Sequence, residues 1–217
     1  MATEESEKLR VRDEGFRRNC VDSLAHALAH FSSIDYDHDR FHDRKWAILS
    51  VAHASEVFCN LLLSALDSRH PCGGRYPSLA PAIEQLREHT DFDRLSTGEK
   101  HVIREVFPLL PRQRNLLMHR PAPESLEISD AAVALLALLY LVRRRTGISA
   151  TERSNQDPAI EADVLDELRV REQDRWFDLA EQLVLEDYGA ENLQGCDRCG
   201  RFTFTPDFGC QACFAEH

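Results

Sequence analysis

Apolar positions recur at helical spacing along most of the chain, and strand-like alternation is scarce before residue 200. Leu9, Phe16, Cys20, Leu24, Ala27 and Leu28 drift along one face of a first helix, expected over about Glu4 to Ala29. The stretch SSIDYDHDRFHD interrupts the pattern and reads as a solvated connection. A second helix, over about Arg44 to Ser68, is rich in Ala, Leu, Val and Phe. It carries a thin polar stripe of His53, Glu56 and Asn60, which share one face at i, i+3 and i+7. Polar groups set in so apolar a helix need partners.

HPCGGRYPS ends that helix, because its Pro and Gly residues stop helical periodicity. Leu79–His89 is a short helix. Ser96 and Glu99 stand in the spacing of a capping box and start a helix that ends near Pro108. Pro111 suits the first turn of the next helix, where its missing N–H does no harm; Pro121 ends that helix. Ser129 is expected to cap a strongly apolar helix closed by Gly147. Residues 148–157 read as a linker. Pro158–Tyr188 reads as an acidic amphipathic helix burying Leu165, Leu168, Trp176, Leu179, Ala180 and Leu183 and ending at Gly189. The expected fold is all-α: an up-and-down helical bundle over 1–147, a linker and acidic helix over 148–189, and a small cysteine module over 190–217.

A net charge of −11 argues against a wholly electrostatic nucleic-acid binder. Its distribution changes the picture. Residues 100–145 hold eight basic against four acidic side chains, whereas 151–195 hold thirteen acids against four arginines. Lys100, Arg104, Arg112 and Arg120, in the basic stretch, are the candidates for contact with nucleic-acid phosphates. The acidic N-terminus carries no secretory signal, and the longest apolar run, Ala131–Val142, is shorter than the roughly 20 residues that span a bilayer. A cytoplasmic protein with no membrane partner is expected.

The cysteines supply the most specific motif. In CDRCGRFTFTPDFGCQAC the spacing is Cys196-x2-Cys199-x10-Cys210-x2-Cys213. Two tight knuckles bring two thiolates each to one tetrahedral ion, and Gly200 and Gly209 beside them suit tight turns. Phe202, Phe204 and Phe208 are available to pack the hairpin between. A redox pair would not need two sets at this spacing. Four thiolates leave no open coordination position, so the expected cofactor is a structural Zn2+ in a zinc ribbon. Such modules touch nucleic acid or protein. His26 and His30 have the i, i+4 spacing of a helical metal pair, but with no carboxylate motif beside them a surface or packing role is expected.

RQRNLLMHRP holds Arg114, Asn115 and His119. The bare Arg-x4-His spacing arises about once by chance in a chain of this composition, so context decides. At about 100° per residue, Leu109, Leu110, Gln113, Leu116, Leu117 and Arg120 fall on one arc and Arg112, Arg114, Asn115, Met118 and His119 on the other. The expectation is a helix that hides its leucines and presents the polar cluster. Together with ASEVFCNLLLSAL in the second helix, this motif resembles the HEPN superfamily, loosely and over residues 1–147. These are all-helical bundles, many of them metal-independent ribonucleases with Arg-x4–6-His on a late helix.

The resemblance implies RNA cleavage by attack of a 2′-OH on the adjacent phosphate. His119 would be base or acid, Arg114 the clamp on the transition state and Asn115 an orienting group. Glu56, the acidic residue of the second helix, would hold Arg114 or His119 in position. The family often has a lysine where this chain has Asn60, a departure that bears on the local charge balance. It also implies a homodimer with a composite site, and a toxin or antiviral-defence role under an antitoxin or other regulatory partner. The alternative is a non-enzymatic zinc-ribbon adaptor binding nucleic acid or a protein. A ribbon-bearing transcription regulator is weaker, since no helix-turn-helix signature stands out.

Overall fold

The computed structural model describes residues 4–34, 41–67, 70, 75–119, 127–148, 150, 165–168, 170–201, 203–205 and 209–210. It is mostly helical. The helices are α1 (Glu4–Ser32), α2 (Phe41–Leu66), α3 (Leu79–Glu88), α4 (Thr97–His101), α5 (Leu109–His119), α6 (Ser129–Thr146) and α7 (Gln173–Tyr188). Two two-residue strands, β1 (Phe204–Thr205) and β2 (Gly209–Cys210), pair antiparallel near the C-terminus.

α2 is the centre of the bundle. Ile48, Val51, Ala52, Phe58, Cys59 and Leu62 are fully buried, and α1, α3, α5 and α6 all pack on it. A helix apolar all round must be enclosed in this way. Among the described residues, α2 is long and apolar enough to cross a membrane by composition, but most of that stretch is buried inside the bundle. α1 runs antiparallel to it: His30 near the end of α1 stacks on Trp46 near the start of α2, ring centroids 6.2 Å apart. The expected α1 stripe from Phe16 to Leu28 is buried, and the side chain of Leu9 lies outside the described residues. α6 is enclosed almost as fully, with Ala131–Leu138 buried without a break.

The capping box at α4 forms as its spacing requires: Ser96 Oγ accepts from the Glu99 N–H and Glu99 Oε2 accepts from the Ser96 N–H. The helix it starts departs from expectation. After His101 the chain widens into a π turn over Val102–Val106. Pro108 has no N–H to offer the Arg104 carbonyl, so the regular ladder cannot continue. Phe107 N–H reaches back to Val102 O at 2.9 Å, and Arg87 Nη2 donates to the stranded Arg104 carbonyl at 2.6 Å. Ser129 also differs: it is the first residue of α6, after Ile128, and its side chain caps nothing. Its hydroxyl donates to Glu172 Oε2 at 2.5 Å and accepts from Arg175 Nη1 at 2.6 Å, a stronger charge-assisted pair of partners than a backbone amide. Gly147, at φ 72°, closes α6 as expected.

α7 packs on α4 and α6 through the expected stripe: Trp176, Leu179, Ala180 and Leu183 are buried, with Leu165 and Leu168 on the turn before it. One continuous apolar cluster therefore runs from α1 through α7 to Leu193, Cys196 and Cys210. Residues 151–164, where the linker and the start of the acidic helix are expected, lie outside the described residues. α4 approaches α7 closely at Gly98, where a Cβ would stand 2.7 Å from Leu183 Cδ2. Leu183 is fully buried, so its side chain can shift only by repacking against its neighbours. We expect Gly98→Val to cost about 1–3 kcal/mol through overpacking, read as a lowered urea midpoint at unchanged slope.

Candidate functional site

Two constellations merit construction from their residues: the polar face where α5 meets α2, and the C-terminal cysteines. α5 starts at Leu109 with Pro111 in its first turn. Leu110 and Leu117 are buried, but Leu109 and Leu116 are exposed at 41% and 38%. The helix is thus rotated from the expected orientation, in which all four leucines were hidden. The rotation turns Arg114 inward to α2, where Arg114 Nη1 donates to Glu56 Oε2 at 3.3 Å. Arg114 keeps 43% of its side-chain surface exposed and Glu56 24%, so the pair sits at a rim.

Glu56 has a second partner that spacing did not reveal. α3 begins after Ser78, whose side chain makes no cap, and the Leu79 N–H donates to Glu56 Oε2 at 3.0 Å. The carboxylate of α2 therefore serves as the cap for α3, at the positive end of that helix's dipole. Asn60, one turn on, is 97% buried and fully used. Its amide donates to Glu56 O at 2.8 Å and Pro77 O at 3.1 Å, and its Oδ1 accepts from buried His70 Nε2 at 3.0 Å. His70 is thereby fixed with its proton on Nε2. A lysine at position 60 would leave the His70 Nε2–H without an acceptor, so an asparagine here has a local structural reason. His53, the third member of the stripe, is exposed.

The other candidates are dispersed. Asn115 and Arg112 are exposed on α5. His119 is the last residue of α5, and its side chain lies outside the described residues, as does Arg120. On the wheel, positions 114 and 119 stand about 140° apart. Lys100 is largely covered and lies 3.8 Å from Asp93, while Arg104 is spread over the Phe92 ring at 5.0 Å. A network missed in the sequence fixes α5 from its other side. Gln113 Nε2 donates to Asp130 Oδ2 at 3.2 Å, and Asp130 Oδ1 accepts from Arg175 Nη2 at 2.8 Å. Residues 17 and 45 positions apart in sequence gave no periodic signal for it.

In the cysteine module, the Sγ atoms of Cys196, Cys199 and Cys210 all lie within 4.8 Å of one another. Cys199 and Cys210 are 3.6 Å apart, far too long for a disulfide and close to the ~3.8 Å edge of a thiolate tetrahedron around an ion at about 2.3 Å. The first knuckle is built by local bonds: the Gly200 N–H donates to Cys196 O at 2.7 Å and the Cys196 N–H to Arg201 O at 2.9 Å. Gly200 adopts φ 71°, which any side chain would resist. Strand pairing sets Cys210 opposite Phe204, and the hydroxyl of buried Thr203 lies 3.1 Å from Cys210 Sγ. These three thiols can hold a metal ion. Cys213, Phe202 and Phe208 lie outside the described residues. Cys20 and Cys59 are packing groups instead: burial pushes the Cys20 thiol up to about 12 and raises that of Cys59 further.

Comparison with protein-family models, curated proteins and solved structures gives no match to this chain. The ion pair at the α5–α2 rim yields a stability test. Because Arg114 is nearly half exposed, Arg114→Ala should cost under ~1 kcal/mol. Glu56→Ala also strips the buried first turn of α3 of its acceptor and should cost about 2–3 kcal/mol. Denaturant titration of the two variants checks the order; equal losses would contradict the capping role.

Proposed function

We propose that the chain is a metal-independent endoribonuclease of HEPN type, acting as a homodimer, with a structural zinc ribbon at its C-terminus. The observation that carries the reading is the Arg114–Glu56 contact. The resemblance implies an acidic residue of the second helix that holds Arg114 or His119, and Glu56 Oε2 lies 3.3 Å from Arg114 Nη1. Arg114 is held at one end and open to solvent at the other, the condition for a guanidinium that receives a phosphate.

In this reading His119 takes the proton of an RNA 2′-OH, and the 2′-oxygen attacks the adjacent phosphorus. Arg114 binds the non-bridging oxygens as charge grows on them. The P–O5′ bond breaks, and the leaving 5′-oxygen takes a proton from the His119 of a second copy. The products are a 2′,3′-cyclic phosphate and a 5′-hydroxyl. One imidazole cannot easily serve as base and acid in the same step, which is the chemical reason for a dimer. The exposed Leu109, Leu116 and Met118 give α5 an apolar surface to bury against that copy. In this reading Asn115 and Arg112, exposed on the same helix, contact the substrate. A toxin or antiviral-defence role under a restraining partner protein belongs to the same proposal, as does a cytoplasmic setting.

The ribbon reading assigns Zn2+ to Cys196, Cys199, Cys210 and Cys213. We expect about one zinc per chain by elemental analysis. Cys196→Ala should lose it and expose the module to proteolysis, while the helical circular-dichroism signal persists.

Purified protein incubated with total RNA tests the activity. Cleavage should survive mild chelation, leave 2′,3′-cyclic phosphate ends, and vanish in Arg114→Ala and His119→Ala, both still folded. Intact RNA, or equal cleavage by both variants, overturns the nuclease. Intact RNA together with partner capture dependent on Leu116 and Met118 would favour the adaptor reading, which the same exposed α5 face supports.

A further inference from the structure

The histidines at the junction of α1 and α2 take no part in the site above. His26 and His30, one turn apart on α1, bring their Nε2 atoms to 3.2 Å, with ring centroids 4.6 Å apart and planes at 81°. Two imidazoles meeting through their distal nitrogens can do one of two things. One ring can donate to the other, or both lone pairs can face a shared cation. The spacing suits the second use. Adjacent nitrogen ligands at 2.0–2.1 Å from a divalent transition ion stand about 3.3 Å apart in a tetrahedron and about 2.9 Å apart in an octahedron, and 3.2 Å lies between.

The surroundings fit an accessible, exchangeable ion. His26 is exposed and His30 half-buried, so the pair opens to solvent. Asp43, in the first turn of α2, lies close enough to act on His30 electrostatically and places a negative charge beside the pair. His42 Nε2 is already taken, because it accepts from Trp46 Nε1 at 3.0 Å. Among the described residues no third histidine, cysteine or carboxylate closes on the pair. Remaining coordination positions would go to water.

We infer that His26 and His30 form a two-imidazole chelate for a late first-row transition cation of the Ni2+, Cu2+ or Zn2+ class, separate from the cysteine module. Imidazole nitrogen suits these ions, and an i, i+4 pair on a formed helix presents both donors without further ordering. A bound ion would fix the last turn of α1 beside the start of α2, where Trp46 stacks on His30 with planes 20° apart.

That stacking supplies the test. The chain has two tryptophans, and Trp176, on the inner face of α7, is fully buried whereas Trp46 is exposed. Full-length zinc-loaded protein is titrated with NiCl2 at neutral pH, with tryptophan fluorescence and calorimetry read in parallel. Zinc release is followed with a chromophoric chelator so that exchange at the cysteines is scored separately. We expect a saturable quench of Trp46 with a dissociation constant in the micromolar range and no zinc release. His26→Ala and His30→Ala should each weaken it by at least about tenfold, since losing a ligand costs no less than losing its supporting partner. Both are surface changes that leave the fold intact, checked by an unchanged circular-dichroism spectrum. No saturable quench in the parent protein overturns the site. A quench of unchanged affinity in either variant overturns the chelate, and the 3.2 Å contact is then a hydrogen bond between rings.

Discussion

Everything in this bundle depends on enclosing α2. A helix apolar on nearly every side cannot lie at a surface, and α1, α3, α5 and α6 close around it. Enclosure makes its polar side chains costly unless each finds a partner. Asn60 finds three, and through them ties the chain around His70 and Pro77 down onto α2. Glu56 finds two, the first amide of α3 and the guanidinium of Arg114. The same carboxylate oxygen thus positions a helix and orients the residue on which the proposed chemistry turns.

α5 is held in its orientation at its start and along its side. At its start, Pro108 breaks the hydrogen-bond ladder, and the π turn before it re-aims the chain into α5. Arg87 takes the carbonyl that the proline cannot satisfy. Along its side, the Gln113–Asp130–Arg175 chain of bonds joins α5 to α6 and α7. Leu110 and Leu117 then face the core while Leu109 and Leu116 do not. A helical wheel counts leucines without regard to which neighbour arrives first, and here the polar network outweighed part of the apolar arc.

The cysteine module is anchored by side chains as well as by its own knuckle. Arg201 Nη1 donates to Glu181 Oε2 at 3.1 Å and Asp178 Oδ1 at 3.3 Å on α7, and its guanidinium lies over the Phe177 ring at 5.5 Å. Arg198 pairs with Asp166. The acidic face of α7 is therefore partly spent on receiving the basic residues between the cysteines. A two-stranded unit this small has little apolar surface of its own, so docking onto its neighbours must help to hold it, beside three thiols that can take a metal ion.

Local signals were legible in the chain itself. The capping box at Ser96 and Glu99, the glycine ends of α6 and α7, the buried stripe of α7 and the convergence of Cys196, Cys199 and Cys210 each depend on residues near one another in sequence, whose spacing carries the geometry. The resemblance set Glu56 beside Arg114 or His119; spacing carries no signal for the contact with Arg114, since the two lie 58 positions apart. Only the folded chain decided the rest. That Glu56 caps α3, that Ser129 turns to Glu172 and Arg175 instead of its own helix, that α5 rotates, and that Trp46 stacks on His30 all follow from which surfaces are pressed together. Periodicity states which face of a helix is apolar; it is the competition among buried polar groups for the few partners within reach that sets the final angle.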